Sequence, residues 1–576
     1  MIAVYIDPAI SKYSNLIKYS LNYLLEIGGY SWKYLEDGVE IEPNDLVIYY
    51  SVNLPENDIV DMLIRHHSVI FIPFVKNFYI PGAFSGDNLK NFIKTFKYEV
   101  DVPIISTKKG FSVPLKLSHR NNDLFACFEF DLIGNIYFQL VDDDKNHLNK
   151  KDSKGNLCLE ELGFYDYFNV PFINYYLDVL DKLINELVSN RQHNSINCFQ
   201  IKRCLWPSNQ SMAAILSHNL DRLQKWNIIS ILISFLEHPY LFLSFRWKYL
   251  FRSLASKYKY FFTNQEDYWN FYDISFYERK YKFRPTWFIG VNSAKENIFD
   301  YEIDDKDLIK EHLELYDHGA ELSIFSNKLK PSMEDLRKNI EDFVSTLKIN
   351  NKKFPNGIRH SNLDNENSNL HKIHTDLHFK YSSTKKIPHR NCFINGFSLP
   401  FPIYSIQGPT NRDPLWEIPI TFSDETLYLT KYKYIPFDVA MNSIKELIKS
   451  VKKVRGLVHF QFSNSLFYEI PYMHKLFEYT VDQLNYQNAY VATCSTIIDW
   501  LNKRQKVLIK ETENRIIIDF DDNIEQMCFE IIGNKVIANV EGGNRSFQKN
   551  FVHFINITKG LSVEIFLIDF NQESEN

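Results

Sequence analysis

The stretch AILSHNLDRLQKW, residues 214–226, decides the fold of this protein. Its apolar run ends in His218, Asn219 and Asp221, and a short apolar run closed by polar residues is typical of a buried parallel strand. Similar runs recur further along, separated by helix-like stretches: PTWFIG, AELSIFS, GIRHS, HFKYSS, WEIPIT, GLVHFQF and AYVATCS. Seven or eight strands alternating with helices over residues 211–504 predict a (β/α) barrel, with any chemistry at the carboxyl ends of its strands.

The regions on either side of the barrel have different patterns. Residues 1–125 carry the runs IAVYI, DLVIYYS and SVIFIPF between helix-like stretches, which predicts an α/β module with parallel strands. Residues 126–210 form a connecting region that precedes the barrel. Residues 505–576 alternate apolar and polar positions, with turns at Asn-Lys and Gly-Gly, so we predict a small antiparallel β module. The predicted fold class is therefore α/β.

Composition excludes some partners. The chain has 576 residues, a formal net charge of -6, 45% hydrophobic and 24% charged residues, which is an ordinary soluble balance. Acidic and basic residues are mixed and form no basic stripe, so nucleic acid is not predicted as a partner. Seven scattered cysteines without a CxxC pair indicate reduced thiols, and the first residues have no basic region typical of a signal peptide. We therefore expect a cytoplasmic location.

Residues 226–245, WNIISILISFLEHPYLFLSF, are the most apolar segment. Glu237, His238 and Pro239 interrupt it, whereas a spanning helix needs about 20 mostly apolar residues. We predict no transmembrane segment and interpret the stretch as a packed helical insertion. The alternative is a helix whose apolar face lies on a membrane surface.

Several motifs resemble those of the polysaccharide deacetylase superfamily, the NodB-homology, carbohydrate esterase type. AILSHNLDRLQKW is similar to the L-T-H-D-V-D motif of one branch, and LELYDHGAELSIFSN to its G-H-E-I-G-L-H motif. FPNGIRHSNL, LHFKYSST, WEIPIT and GLVHFQF fall where that branch has G-x-R, F-x-Y-D-S-S, E-x-P-L and a strand ending in His-Pro. DLIGNIYFQLVDDD is similar to a motif in the uncharacterised domain that precedes the barrel in this branch.

The resemblance implies metal-assisted removal of acetyl groups from N-acetylated sugars, with zinc or another divalent metal held by one aspartate and two histidines. Carried over by position, the base aspartate falls at Asn219 and the metal aspartate at Asp221, the only retained ligand position. The two metal histidines fall at Phe325 and about Leu329. The following positions complete the set: Ser382 for the aspartate of Y-D-S-S, Arg359 for the arginine and His459 for the acid histidine.

These replacements remove the chemistry of the family. A neutral amide at position 219 cannot act as a general base near pH 7. Phenylalanine has no lone pair for a metal, and a lone carboxylate does not replace the roughly three protein ligands of a catalytic zinc site. We therefore predict a barrel without the family's catalysis and without a metal cofactor.

Individual residues leave alternatives open. We interpret His218 as structural and not as a ligand. Asp221 either caps the next helix or keeps a polar role in the cleft, and Arg359 pairs with Asp221 or with a sugar carboxylate. His459, the acid position, is alternatively a hydrogen-bonded core histidine.

Other candidates lie away from that motif. His371, His374 and His378 share a helical spacing and could hold a relocated metal with Asp376, although surface histidines are usually solvated. Aromatic residues near strand ends either line a sugar-stacking cleft or belong to the core: Trp287, Phe325, Tyr381 and Trp416.

The functional hypothesis is a degenerate deacetylase-like protein of bacterial surface-polysaccharide synthesis or modification. It would act as a glycan-binding or assembly subunit, with a glycan or sugar intermediate and polysaccharide-synthesis enzymes as partners. One alternative is a metal-dependent carbohydrate N-deacetylase with rearranged ligands. The other is a structural partner of a glycosyltransferase.

Overall fold

A computed structural model gives the fold of the chain. It describes residues 1–35, 41, 45–54, 67–85, 87–108, 111, 113–120, 123–148, 150, 157–189, 199–291, 299–327, 331–347, 355–361, 370–403, 413–430, 433–512 and 514–569.

The N-terminal part is a parallel sheet with helices packed on it. Its elements are β1 (Ile2–Ile6), α1 (Ser14–Gly28), β2 (Trp32–Tyr34), β3 (Leu46–Ser51), β4 (Ser68–Pro73), α2 (Asp87–Phe92), β5 (Ile93–Lys97), β6 (Asp101–Ile105), β7 (Leu115–Arg120) and β8 (Asp123–Phe128). The sheet order is β2-β1-β3-β4-β8-β7, and only the β7–β8 pair is antiparallel. The three strands predicted from apolar runs are therefore confirmed as β1, β3 and β4.

The connecting region is mainly helical. Its elements are α3 (Leu132–Leu140), α4 (Asp143–Asn146), α5 (Phe172–Ser189) and the strand β9 (Phe199–Arg203). The motif DLIGNIYFQL begins α3, and the Asp131 carboxylate caps that helix by accepting a hydrogen bond from the Gly134 amide at 2.7 Å.

The central part is a curled sheet with helices around it. Its strands are β10 (Ala213–Leu220), β11 (Thr286–Gly290), β12 (Glu321–Ser326), β13 (Gly357–His360), β14 (Tyr381–Ser382), β15 (Phe401–Pro402), β16 (Trp416–Glu417), β17 (Phe422–Ser423), the hairpin β18 (Tyr428–Thr430) and β19 (Lys433–Tyr434), β20 (Leu457–Ser463) and β21 (Tyr490–Val491). Its helices are α6 (Ile228–Leu243), α7 (Trp247–Thr263), α8 (Phe271–Lys280), α9 (Lys306–Asp317), α10 (Met333–Leu347), α11 (Leu370–Asp376), α12 (Phe437–Lys453), α13 (Asn464–Glu469), α14 (Met473–Tyr486) and α15 (Cys494–Gln505).

The order of this sheet is β15-β16-β14-β13-β12-β11-β10-β20-β17, with β21 also paired to β10. All pairs are parallel except β15–β16. The predicted α/β class is confirmed, and the predicted (β/α) barrel is present as a curled half-barrel. The carboxyl ends of β10, β12, β13 and β20 meet at one rim, as parallel strands require.

The C-terminal strands form two antiparallel sheets. The strands are β22 (Leu508–Glu511), β23 (Arg515–Asp519), β24 (Ile524–Gly533), β25 (Lys535–Glu541), β26 (Asn544–Gln548), β27 (Phe551–Ile557) and β28 (Ser562–Asp569). The predicted turns are present, since β24 and β25 are joined at Asn534, and Gly542 and Gly543 adopt φ values of 90° and 67°. One sheet, β26-β27-β24-β9, takes its edge strand from the connecting region.

Two buried arginines join the modules, and we call Arg203 and Arg504 the arginine clamp. Arg504 donates to the carbonyls of Glu26 at 2.6 Å and Ile27 at 3.1 Å, in the last turn of α1, where carbonyls lack helical partners. Arg203 donates to the carbonyls of Gly29 at 3.3 Å and Val507 at 2.6 Å. The clamp therefore ties the end of α1 to residues that precede the half-barrel strands in sequence and to residues that follow them.

The apolar segment at 226–245 folds as α6, which continues through Pro239 and turns back along α7. Among the residues of α6, only Ser234 and Leu241 are buried, so the predicted packed insertion is wrong for most of its length. No helix in the described ranges is long and apolar enough to cross a membrane.

Candidate functional site

Three strands bring the predicted residues Asn219, Arg359 and His459 together inside the half-barrel, with Ser217, which was not predicted. Ser217 and Asn219 lie two residues apart on β10 and therefore face the same side of the sheet. Arg359 on β13 reaches both, since Nη2 donates to Ser217 Oγ at 3.0 Å and Nη1 donates to Asn219 Oδ1 at 2.8 Å. His459 on β20 lies opposite, with Nε2 2.9 Å from Ser217 Oγ. All four side chains are buried.

Arg359 is the centre of this cluster. Besides the contacts to β10, it donates to the Ser383 carbonyl and hydroxyl, both at 2.9 Å, and its guanidinium carbon lies 3.8 Å from the centroid of the Phe288 ring. Its side chain is 1% exposed, and burial lowers its pKa to about 10. The predicted ion pair with Asp221 is wrong: of its hydrogen bonds to described residues, none goes to that carboxylate, because Asp221 lies beyond the end of β10.

His459 accepts hydrogen bonds in the core. Its Nε2 lies 3.1 Å from Arg359 Nη2, and a guanidinium group can only donate. Burial, and then the charge of Arg359, lower the pKa of His459 well below the ordinary range. This Nε2 therefore carries no proton for a leaving group, which favours the core interpretation of His459 over the acid role.

Asp221 contacts α13 and not the helix that follows it in sequence. No helix begins directly after it in the described chain, and α6 starts only at Ile228. Its carboxylate accepts from Ser465 Oγ at 2.6 Å and from the Ser465 amide at 3.4 Å. Burial raises its pKa. The prediction that Asp221 caps the next helix is wrong, and the carboxylate instead stabilises the first turn of α13.

Aromatic side chains fill the space beside this rim. Phe325, at the first metal-histidine position, is 5% exposed and packs on Phe299 with ring centroids 5.8 Å apart. The Tyr301 hydroxyl donates to the Leu220 carbonyl at 2.8 Å and accepts from the Gly290 amide at 2.9 Å. The ends of β10, β11 and β12 are thus covered by residues 299–301 and by Phe325 itself.

These residues do not fit the metal that the resemblance implies. Asp221 offers one carboxylate, which already accepts from Ser465. Asn219 Oδ1 accepts from Arg359, and Phe325 offers no ligand atom. At the Y-D-S-S position, Ser382 donates to Thr384 Oγ1 at 3.2 Å. Leu329 lies outside the described residues. Among the described residues there is no group of three or more histidine, cysteine, aspartate or glutamate side chains that could hold a metal.

The histidines of α11 do not converge as predicted. His374 is fully buried, and its Nε2 lies 3.0 Å from Nε2 of His360 at the end of β13. His378 lies beyond the end of α11 and is exposed. Burial lowers the pKa of His360 to about 3 and that of His374 well below its ordinary value. The hypothesis of a surface metal at the trio is therefore wrong, because its central histidine turns inward to His360.

The two tryptophans predicted to line a sugar cleft are core residues. Trp287 is 0% exposed and packs against His218 with ring centroids 4.5 Å apart and planes tilted by 35°. Trp416 is 1% exposed and donates from Nε1 to Asn502 Oδ1 at 3.1 Å. Neither ring face is free, so the substrate-binding prediction for Trp287 and Trp416 is wrong. His218 lies on the outer face of β10, where its Nε2 is 2.8 Å from Glu278 Oε1.

A second polar group near the rim was not predicted. Asp424 is fully buried, accepts from the Ser463 amide at 2.7 Å, and has a pKa raised well above its ordinary value by burial. Lys386 Nζ contacts Glu425 Oε2 at 2.6 Å and Gln461 Oε1 at 3.4 Å close by. Asp424 and Glu425 follow the two-residue strand β17, which has no motif of its own, and the pairing of β17 with β20 brings them beside Gln461.

Comparisons with known proteins identify similar folds. No protein-family model matches the sequence, and no curated protein matches it. The chain is similar to a Mycobacterium smegmatis protein assigned to the polysaccharide deacetylases, with 13% identity and a TM-score of 0.35 over 52% of this chain and 92% of that chain.

Two further structures show comparable similarity. PuuE allantoinase has 12% identity and a TM-score of 0.34 over 52% of this chain and 92% of its own. A CE4 family pseudoenzyme from Bacillus anthracis has 11% identity and a TM-score of 0.25 over 51% of this chain and 66% of its own. Each of these similarities covers about half of this chain.

Proposed function

We propose that this chain is a cytoplasmic, non-catalytic deacetylase-like protein of bacterial surface-polysaccharide synthesis or modification, acting as an assembly subunit. The observation that carries the proposal is the use of the catalytic positions for packing. Asn219 and His459 both accept from Arg359, and Phe325 packs on Phe299 where a metal ligand would be needed. The polysaccharide context comes from the motif resemblance.

Between assembly and glycan binding, the buried aromatics favour assembly. Sugar stacking needs an open ring face, whereas Trp287, Trp416 and Phe325 are at most 5% exposed. Glycan binding by the half-barrel therefore stays a prediction, to be tested with a glycan-binding screen. A structural role beside a glycosyltransferase is one form of the assembly function, and co-purification with such an enzyme would distinguish it.

The direct test combines metal content and activity. The full chain is purified without chelator, its metals are measured by elemental mass spectrometry, and acetate release from N-acetylglucosamine oligomers is followed with added zinc. We expect neither stoichiometric zinc nor acetate. About one zinc per chain retained through dialysis, or zinc-dependent acetate release, would overturn the proposal.

The rival N-deacetylase with rearranged ligands rests on one observation, the facing Nε2 atoms of His360 and His374 at 3.0 Å. Two histidines alone fall short of the roughly three protein ligands of a catalytic zinc site. His374→Ala tests this rival, because zinc uptake lost specifically in that variant would place a metal there. Equal zinc content in wild type and His374→Ala excludes that pair as the ligands.

A further inference from the structure

Helices α6 and α7 form a hairpin whose outer surface is apolar, and we call residues 228–263 the apolar hairpin. On α6 the exposed apolar side chains recur three and four residues apart, which places them on one side of the helix. They include Ile229 at 68% exposure, Leu232 at 61%, Leu236 at 79%, Tyr240 at 55% and Leu243 at 74%. A helix on a protein surface normally buries its apolar face against the protein, whereas α6 directs its apolar face outward.

The second helix continues the same surface. The exposed side chains of α7 are again spaced by three, four and seven residues: Trp247 at 38%, Phe251 at 63%, Leu254 at 42%, Tyr258 at 64%, Phe261 at 61% and Phe262 at 74%. Phe245, in the turn between the helices, is 80% exposed. An apolar surface of this extent on a soluble chain marks an interaction site.

Several polar side chains of the hairpin face the half-barrel and hold the hairpin in place. His238 Nε2 lies 2.8 Å from Lys257 Nζ, between the two helices. Trp226 Nε1 donates to Ser256 Oγ at 2.7 Å, and the Arg252 guanidinium carbon lies 4.2 Å from the centroid of the Tyr468 ring. The hairpin is therefore fixed to the half-barrel through its polar face, with its apolar face directed away.

Charge indicates what covers this face. Residues 228–263 contain five lysine or arginine residues and one acidic residue, a net charge of +4 in a chain of net charge -6. Lys248 and Lys259 are exposed beside the apolar stripe of α7. A second copy would bring the same exposed lysines against Lys248 and Lys259, which is repulsive, whereas an anionic lipid surface complements them.

Length and residue types fit a bilayer surface. The 16 residues of α6 span about 24 Å, which is shorter than a hydrocarbon core of about 30 Å. An interfacial helix instead lies in the plane of the membrane, with its apolar face among the acyl chains and its basic residues at the head groups. Tryptophan and tyrosine prefer that boundary, where Trp247, Tyr240 and Tyr258 would lie.

We propose that the apolar hairpin binds the surface of a bilayer containing anionic lipids and holds the half-barrel there. This inference goes beyond the proposed function and does not depend on the loss of catalysis, since it rests only on the outer face of α6 and α7.

The test is flotation of the full chain with vesicles of phosphatidylcholine alone or of phosphatidylcholine with phosphatidylglycerol. We expect flotation with the anionic vesicles, reduced by salt. The double variant Leu236→Glu/Leu243→Glu should weaken binding by more than about tenfold, because two apolar contacts are lost. Lys248→Glu should weaken binding to anionic vesicles by about fivefold.

The matched control is Leu508→Glu, since Leu508 is 59% exposed on β22, outside the hairpin. It should float like the wild type. No flotation with either lipid, or unchanged flotation of Leu236→Glu/Leu243→Glu, would overturn the proposal. So would a dimer in light scattering that the same double variant dissociates, because the face would then be a contact between copies. Equal binding to neutral vesicles would overturn the selectivity for anionic lipid.

Discussion

Nη2 of Arg359 and Nε2 of His459 lie 3.1 Å apart inside the half-barrel. The arginine donates, so the histidine is held as a neutral acceptor, and burial lowers its pKa well below the ordinary range. A general acid at this position would need the opposite protonation state. Arg359 and His459, which fall at catalytic positions by motif resemblance, therefore stabilise the core by hydrogen bonding.

Arg359→Met should destabilise the protein, because the bonds from Arg359 to Asn219 and the Ser383 carbonyl are lost in the core. We expect a decrease of about 3 kcal/mol or more in the free energy of unfolding, measured with urea. The control is Arg279→Met on α8, which loses only a partly exposed pair with Glu314 and should cost less than about 1 kcal/mol. Equal stabilities of the two variants would contradict the central role of Arg359.

His312→Leu should make the protein less sensitive to acid. Burial lowers the pKa of His312 to about 3, and neither ring nitrogen has a hydrogen-bond partner among the residues that the structure describes. The unfolded chain takes up a proton at this histidine below a pH of about 6.5 while the folded chain does not, so its contribution to stability is present above that pH and is lost as the pH falls.

The measurement is the free energy of unfolding of wild type and variant at pH 7 and pH 5. Between these two values the wild type should lose about 2 kcal/mol more than His312→Leu. His318→Leu, at an exposed position just after α9, serves as control. A parallel decline of wild type and His312→Leu would show that the folded protein also protonates His312.

Gly290→Ala tests the aromatic filling of the rim. An added Cβ would lie 2.4 Å from the Phe299 ring, which packs on Phe325, so this packing must shift. We expect a loss of about 1–3 kcal/mol in the free energy of unfolding. The double variant Gly290→Ala/Phe299→Leu should cost less than the sum of the two single changes, since Phe299→Leu relieves the same contact. Strict additivity would mean that the two positions do not touch.

Gly29→Ala tests the arginine clamp. Gly29 has a φ of 85°, and an added Cβ would lie 2.1 Å from the Arg203 carbonyl oxygen and 2.6 Å from Arg504 Nη2. Both the backbone conformation and the contact oppose a side chain, so we expect a large fall in the thermal midpoint or an insoluble product. Gly560→Ala is the control, because its φ is 83° but nothing lies within 4 Å of the added Cβ. Any larger fall in the thermal midpoint of Gly29→Ala than of Gly560→Ala is then due to the contact with Arg203 and Arg504.

Much of the fold was predictable because its signals are local. β1 is a continuous apolar run and β10 begins with one, and the turn after β25 is marked by two glycines with positive φ, although it links strands of two different sheets. For α6 the sequence left a packed helix and an outward apolar face as alternatives, because periodicity shows that apolar residues share a side but not which side meets the protein.

The site was predictable in part. Strand periodicity places Ser217 beside Asn219, and the parallel order then brings Arg359 and His459 to the same interior. The predicted pair of Arg359 with Asp221 does not form because β10 ends at Leu220, so Asp221 lies beyond the strand and outside the interior cluster. The partner of His374 was missed because His360 is on another element, and no spacing rule relates the two.

The pairing of β9 with β24 has a consequence for synthesis. Phe199 pairs with Gly533 and Arg203 with Phe529, so more than three hundred residues separate the partners. At about 5–20 residues per second, a ribosome delivers β24 some tens of seconds after β9. During that interval the ribosome synthesises the half-barrel while β9 lacks its partner strand, so the sheet that β9 shares with β24, β26 and β27 forms only after the whole half-barrel has been made.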